Sequence, residues 1–129
     1  MARKAAEAAV KKAEELKQVV TVVIVDAAGN RILVNKMDGA FPVSDSIAYA
    51  KAFTSATLWM STGDMAPYAE PGKPYYGLES IMGGVFTTIS GGAPVKDKDG
   101  KVIGAVGIGG SYDVTQDHTC ALAAIEVLS

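Results

Sequence analysis

Residues 89–110 read ISGGAPVKDKDGKVIGAVGIGG, the most informative segment of the sequence. Two apolar runs flank an Asp-Gly turn, which predicts a β-hairpin. Glycine nevertheless stands inside the second run, at Gly104, Gly107, Gly109 and Gly110. Because glycine weakens a strand, such a cluster indicates that another backbone, a subunit or a ligand approaches closely. A G-x-G-x-x-G nucleotide loop starting at Gly107 does not fit, because Tyr112 stands where its last glycine would be.

The composition limits the class of protein. Of 129 residues, 49% are hydrophobic and only 7% aromatic, which fits one domain over 1–129 with a core of small aliphatic side chains. The net charge of −2 does not provide the excess of positive charge that is typical of proteins that bind nucleic acid or an anionic membrane. A single cysteine, Cys120, excludes an intrachain disulfide framework. Residues 2–17 lack the apolar run of a secretion signal, and no run is long enough to span a bilayer, so we expect a cytoplasmic protein.

Hydrophobic periodicity predicts the order of elements outward from the hairpin. We expect three helices, over 2–17, from Ser44 or Asp45 to about 60, and over about 115–128. Between the last two we expect a loop over 61–80 with at most one helical turn near 63–66. The predicted strands cover 19–26, 31–37, 85–89, 93–96 and 102–108. The continuous run VVTVVIVD at 19–26 predicts a strand buried on both faces. Tight turns favour antiparallel pairing, so we expect an α+β domain with a five-stranded antiparallel sheet flanked by helices.

The start of the last helix is the first candidate site. His118 is the only histidine, and a helix N-terminus favours its neutral form, which can ligate or donate. Without a second ligand at suitable spacing it predicts no metal site, and a surface or interface position is the more common explanation of such a histidine. Cys120 is interpreted as a buried structural thiol rather than a nucleophile.

The loop EPGKPYYGLE at 70–79 is the second candidate. Prolines and glycines stiffen it, and Tyr75 and Tyr76 place aromatic faces and hydroxyls at its tip. Rigid loops with aromatic residues are typical binding elements, although a tyrosine that packs the loop onto the core is an alternative. Asp38 and Lys51 are further polar candidates, with a helix cap and a solvent-facing position as their alternatives.

Five ordered segments resemble a known family. They are VVIVDAAGNRILVNKMDGA (22–40), AYAKAFTSAT (48–57), EPGKPYYGLES (70–80), GGAPV (91–95) and GKVIGAVGIGGSYDVTQD (100–117). They are similar to segments of the GlcG/HbpS-like (DUF336) proteins, which include the C-terminal domain of PduO-type proteins. The resemblance implies a profilin-like α+β domain that assembles into dimers or rings. It also implies haem or corrinoid binding, with haem degradation in some members.

The chain departs from the family's pattern in three places. The helix over 2–17 has no histidine, Gly83-Gly84-Val85 replaces an Asn-Gly-Arg segment, and Ser90-Gly91-Gly92 replaces a run of three glycines. Without the helix histidine, axial ligation of haem would fall to His118, a tyrosine or a methionine. Without the arginine, an obvious partner for a propionate is missing.

Three functions therefore remain open. The first is a homo-oligomeric protein that binds a small ligand such as haem or a corrinoid, or degrades haem, without nucleic-acid or membrane partners. Its expected ligand contacts are Tyr75, Tyr76, Gly77, Gly91, Gly92, Gln116, Asp117 and His118. The second is an enzyme acting on a small polar metabolite, with acid–base or orienting groups among Asp38, Lys51, Tyr76 and His118. The third is a non-catalytic assembly module, in which the alanine-rich first helix and the glycine-rich strands pack subunits together.

Overall fold

The structure, a computed structural model, describes residues 1–128. In chain order its elements are α1 (Ala2–Glu15), β1 (Thr21–Asp26), β2 (Arg31–Lys36), α2 (Ser44–Leu58), the short α3 (Thr62–Met65), β3 (Gly92–Lys96), β4 (Val102–Gly109) and α4 (Val114–Leu128). Two 3₁₀ segments, Ala66–Tyr68 and Leu78–Gly83, lie between α3 and β3. Across residues 1–128, no helix combines the length and the apolarity that crossing a membrane requires.

The strands form one antiparallel sheet in the order β2-β1-β4-β3. The α+β class is confirmed, but the expectation of five strands is wrong: the sheet has four. The predicted strand over 85–89 packs on α2 instead. The Phe86 ring contacts that of Phe53 with centroids 5.5 Å apart, and the Thr87 N–H donates to Thr54 Oγ1 at 3.0 Å. Whether the fold is profilin-like stays a prediction.

Helices cover both faces of the sheet. On one face α1 and α4 pack over Val22, Ile24, Val106 and Ile108 through alanine side chains and Cys120. On the other face α2 packs over Val23, Val25 and Ala105 through its own alanines. The first five residues of β1 are buried, which confirms the prediction of a strand covered on both faces.

Two glycines of β4, Gly107 and Gly109, are explained by the closeness of α2, and a Cβ on Gly104 would instead meet the Val25 carbonyl of β1. A Cβ on Gly109 would lie 2.6 Å from the Ser44 carbonyl oxygen, and a Cβ on Gly107 would collide with the Ala48 carbonyl. The predicted close approach is therefore made by a helix and a strand of the same chain. The alanine-rich face of α1 is likewise buried, against α4. Both features that suggested subunit packing are thus satisfied within one chain.

Candidate functional site

Four of the predicted site residues meet at a buried ion pair. The Lys51 Nζ donates to Asp117 Oδ2 at 2.9 Å, and both side chains are only 1% exposed. Gly91 lies directly against this pair, since a Cβ there would be 2.7 Å from Lys51 Nζ. Next to it, the Gly92 N–H donates to Thr62 Oγ1 at 3.0 Å. The cluster therefore joins α2, α3, the start of β3 and the first turn of α4.

The ion pair is sealed from solvent. The Lys51 ammonium also donates to the Ile108 carbonyl at 2.7 Å, and Asp117 Oδ1 accepts the Ser111 N–H at 3.3 Å. Burial lowers the pKa of Lys51 from its ordinary 10.5, because the loss of hydration outweighs the attraction of Asp117. The alternative that placed Lys51 on the solvent face of its helix is wrong. An ammonium so enclosed holds α4 against the sheet and has no path for exchanging protons with a substrate.

The two polar residues that flank Asp117 carry buried atoms without partners. Gln116 Oε1 and His118 Nδ1 have no hydrogen-bond partner within the described chain. Residues two apart on a helix point to different sides, so these atoms do not face a common ligand. His118 could reach a metal only through Nε2, and its Nδ1 lacks the acceptor that usually orients a ligating imidazole. The structure therefore does not preorganise His118 as an axial ligand.

The tyrosine loop lies at another place, against the end of α2. A groove of 220 Å³, which we name the Tyr–Met groove, is lined by Leu58, Met60, Met65, Tyr68 and Tyr75. The Tyr75 N–H donates to the Tyr68 carbonyl at 2.9 Å, so the backbone holds the two tyrosines together. Both tyrosine side chains are half exposed, whereas Met65 is buried. The groove thus has an apolar floor and two accessible phenols.

Tyr76 and Gly77 continue the loop into solvent. Tyr76 is largely exposed, and its N–H donates to the Lys73 carbonyl at 3.1 Å. Gly77 has a φ of +91°, and a Cβ there would meet no atom within 4 Å. Both residues are accessible to a ligand, and they directly follow Tyr75, which lines the Tyr–Met groove.

The four acid–base candidates do not form one accessible pocket. Asp38 is exposed in the turn after β2, Lys51 is enclosed, Tyr76 lies on the loop surface and His118 is on α4. Among residues 1–128 no group of three His, Cys, Asp or Glu side chains is arranged to hold a metal ion. The compact polar pocket that a metabolite-converting enzyme would need is not formed by these four residues.

Sequence reasoning missed most of the Tyr–Met groove. Met60, Met65 and Tyr68 lie in a segment that the sequence indicates mainly as a loop. Their concentration within nine positions is a signal that could have found them, because methionine and tyrosine together are common at adaptable binding surfaces. The groove arises only because α3 brings Met65 back to the end of α2.

Comparison with known proteins gives close relatives over nearly the whole chain. Residues 1–126 match the family described as haem degrading protein HbpS-like. An uncharacterised 15.0 kDa protein of Citrobacter freundii, from the dhaT-dhaS intergenic region, is 38% identical over 128 residues, which are 99% of this chain and 89% of that protein. The corrinoid adenosyltransferase PduO of Salmonella typhimurium is 37% identical over 122 residues, or 95% of this chain, but only 36% of its own length is matched.

Solved structures agree with the sequence relatives. The DUF336 protein ORFY of Klebsiella pneumoniae superposes with a TM-score of 0.93 at 35% identity, covering 98% of this chain and 86% of that one. PduOC in complex with haem superposes with a TM-score of 0.91 at 35% identity, covering 98% and 91%. The chain therefore belongs to the HbpS-like family, which confirms the identification made from its five sequence segments.

Proposed function

We propose that this protein binds haem, with the Tyr–Met groove as part of the binding site. The observation that carries the proposal is the solved haem complex of PduOC, whose fold matches 98% of this chain. The family description, which names haem degradation, supports a haem-related role in the same direction. Corrinoid binding has weaker support, because the relative named for a corrinoid activity is matched over only 36% of its length.

The side chains of the groove suit a haem in their chemistry. Tyrosine phenolate and methionine thioether are both axial ligands of haem iron in proteins, and Tyr75, Tyr68 and Met60 supply them here. Leu58 and the buried Met65 provide apolar surface for the macrocycle. Lys73, exposed in the same loop, offers a cation for a propionate in place of the missing arginine.

The size of the groove limits what one chain can enclose. Its 220 Å³ is below the roughly 300–1,000 Å³ of typical small-molecule sites. A whole haem would therefore need either an opening of the tyrosine loop or a second copy of the chain to complete the site. The homo-oligomer that the resemblance implies is the simpler way to provide this cover, and it belongs to the proposal.

A bound haem would supply a redox-active iron and a macrocycle open to oxidation. The protein's own residues would position the ring, provide one axial ligand and exclude water from one face. The more specific proposal is that the protein also degrades the haem that it binds. It would appear as loss of the Soret band when the complex is treated with a reductant in air.

Titration of the purified protein with hemin tests the proposal. We expect a saturable Soret shift whose amplitude or position changes in Tyr75→Phe and Met60→Leu, because these variants alter the candidate ligands. His118→Ala and Tyr112→Phe serve as controls, since His118 is not preorganised and Tyr112 contacts Phe41 instead of the groove. No saturable shift would contradict haem binding. A shift unchanged in both groove variants would contradict the assigned site.

The structure gives little support to the two other functions, an enzyme acting on a small polar metabolite and a non-catalytic assembly module. Of the acid–base groups proposed for a metabolite enzyme, Lys51 is enclosed in its ion pair while Asp38 and Tyr76 are exposed, so the four do not share one accessible pocket. The small residues invoked for an assembly module are covered by helices and a strand of the same chain. Self-association stays a prediction, and light scattering with and without hemin would test it together with the completion of the haem site.

A further inference from the structure

Trp59 occupies a position where the backbone favours glycine. It follows the last residue of α2 in the left-handed conformation, with φ of 63° and ψ of 34°, and its N–H closes the helix by donating to the Ser55 carbonyl at 3.0 Å. Glycine is the usual residue at such a helix end, because other side chains are strained there. The tryptophan side chain is also 70% exposed, so core packing does not explain it.

The indole lies next to the β3–β4 hairpin, where a cavity of 260 Å³ opens to solvent. We name it the Trp59 groove; its lining residues are Trp59, Lys96, Gly100, Lys101 and Val102. The strand pairing shifts register at Lys96, which pairs with Val102 while Val95 pairs with Gly104. Such a bulge bends the strand and redirects side chains, and bulges are frequent next to binding sites.

The turn of the hairpin leaves its lysines free for a ligand. Asp97 Oδ1 accepts the N–H groups of Asp99 and Lys101, both at 2.9 Å, so that carboxylate is used within the turn. Within the described residues, the ion pairs are those of Lys12 with Glu15 and Lys51 with Asp117, and neither involves Lys96 or Lys101. Two lysines without an ion-pair partner therefore line the same groove as one exposed indole.

We propose that the Trp59 groove binds a small aromatic carboxylate. The indole would stack on the flat apolar part of the ligand, and Lys96 and Lys101 would contact the carboxylate. The cavity lies near the lower end of the size range of small-molecule sites, which suits a ligand of one or two fused rings. This site is distinct from the Tyr–Met groove, because the two cavities share no lining residue.

The single tryptophan of the chain makes the site directly observable. A proton–nitrogen correlation spectrum shows one indole N–H resonance, which can be followed during titration of the full chain with naphthoate. Naphthylmethanol is the matched probe that keeps the rings and lacks the charge. We expect a saturable shift of the indole resonance with naphthoate and binding roughly tenfold weaker for the alcohol.

Charge variants complete the test. The double variant Lys96→Gln, Lys101→Gln should weaken naphthoate binding by roughly tenfold, whereas Lys98→Gln, on the same hairpin but outside the groove, should leave it unchanged. Equal binding of the acid and the alcohol, or equal losses in the two charge variants, would overturn the proposal. An indole shift that depends on protein concentration alone would also overturn it, since a second copy would then cover the tryptophan.

Discussion

Asp117 Oδ2 accepts a hydrogen bond from Lys51 Nζ across 2.9 Å, although 66 sequence positions separate the two residues. The contact fixes the first turn of α4 to the middle of α2, beside the glycines that begin β3. Removing one member of a buried ion pair leaves the other charge without compensation, which costs far more than the pair itself contributes.

Breaking this pair on one side should destabilise the protein strongly. We expect Lys51→Met to lower the free energy of unfolding by about 3–5 kcal/mol, because Asp117 would stay buried with only the Ser111 N–H as partner. The double variant Lys51→Met, Asp117→Leu should recover much of that loss. Urea unfolding of the four members of the cycle measures both effects. Additive losses in the double variant would contradict a direct pair.

The glycines of β4 should tolerate no side chain where α2 lies on them. Gly107→Ala would place a methyl group against the Ala48 carbonyl, and we expect a loss of at least about 2 kcal/mol on unfolding by urea. Gly63→Ala is the matched control, since its methyl would meet only Ser90, whose rotatable hydroxyl is the nearest atom at 3.1 Å. Its effect should stay below about 1 kcal/mol. Similar losses in the two variants would show that α2 can move away from β4.

The thiol of Cys120 gives a pH-dependent test of the core. Burial raises its pKa to about 11, and the charge of Asp117 adds to that rise. Between the ordinary value of 9.0 and about 11 the unfolded chain releases a proton that the folded protein keeps, so stability falls as the pH rises. In Cys120→Ala the loss between about pH 8 and 10.5 should be smaller by about 1–2 kcal/mol. Equal pH slopes in the two proteins would contradict a buried thiol at this place.

Replacing Trp59 should separate stability from binding. Trp59→Gly removes the strain of a left-handed side-chain residue and should raise the free energy of unfolding by about 1 kcal/mol, as measured by urea unfolding. The same variant should lose naphthoate binding in a calorimetric titration. Trp59→Leu keeps the strain and also lacks the indole, so it should lose binding without gaining stability. A Trp59→Gly protein that is less stable than the parent would show that the indole contributes to folding.

The elements that the sequence predicted well are those with a strong local pattern. The helix over 2–17, the run at 19–26 and the hairpin around the Asp-Gly turn all formed close to their expected bounds, because periodicity and turn residues act locally. The strand expected over 85–89 did not form, since contacts of Phe86 and Thr87 with α2 outweighed their strand propensity.

The candidate sites were harder to predict, because their partners are distant in sequence. No local pattern shows that Lys51 meets Asp117, and the charge of a lysine favours a solvent-facing position until its partner is known. The helix expected to about residue 60 includes Trp59, whereas in the structure α2 ends at Leu58 and the Trp59 side chain is exposed. The loop tyrosines were recognised, but the Met60 and Met65 side chains beside them depend on how α3 folds back.

The contact of α2 with the glycines of β4 also determines which parts of the protein can adapt to a ligand. Leu58 and Met60 line one groove and Trp59 lines the other, so the end of α2 is a wall shared by both. Because the backbones of α2 and β4 are in contact at Gly107 and Gly109, the helix cannot tilt toward the sheet when a ligand binds. The Tyr–Met groove can therefore widen only through movement of the tyrosine loop, and the Trp59 groove only through movement of the β3–β4 hairpin. Because these two segments are separate, each groove can adapt to its own ligand without changing the other.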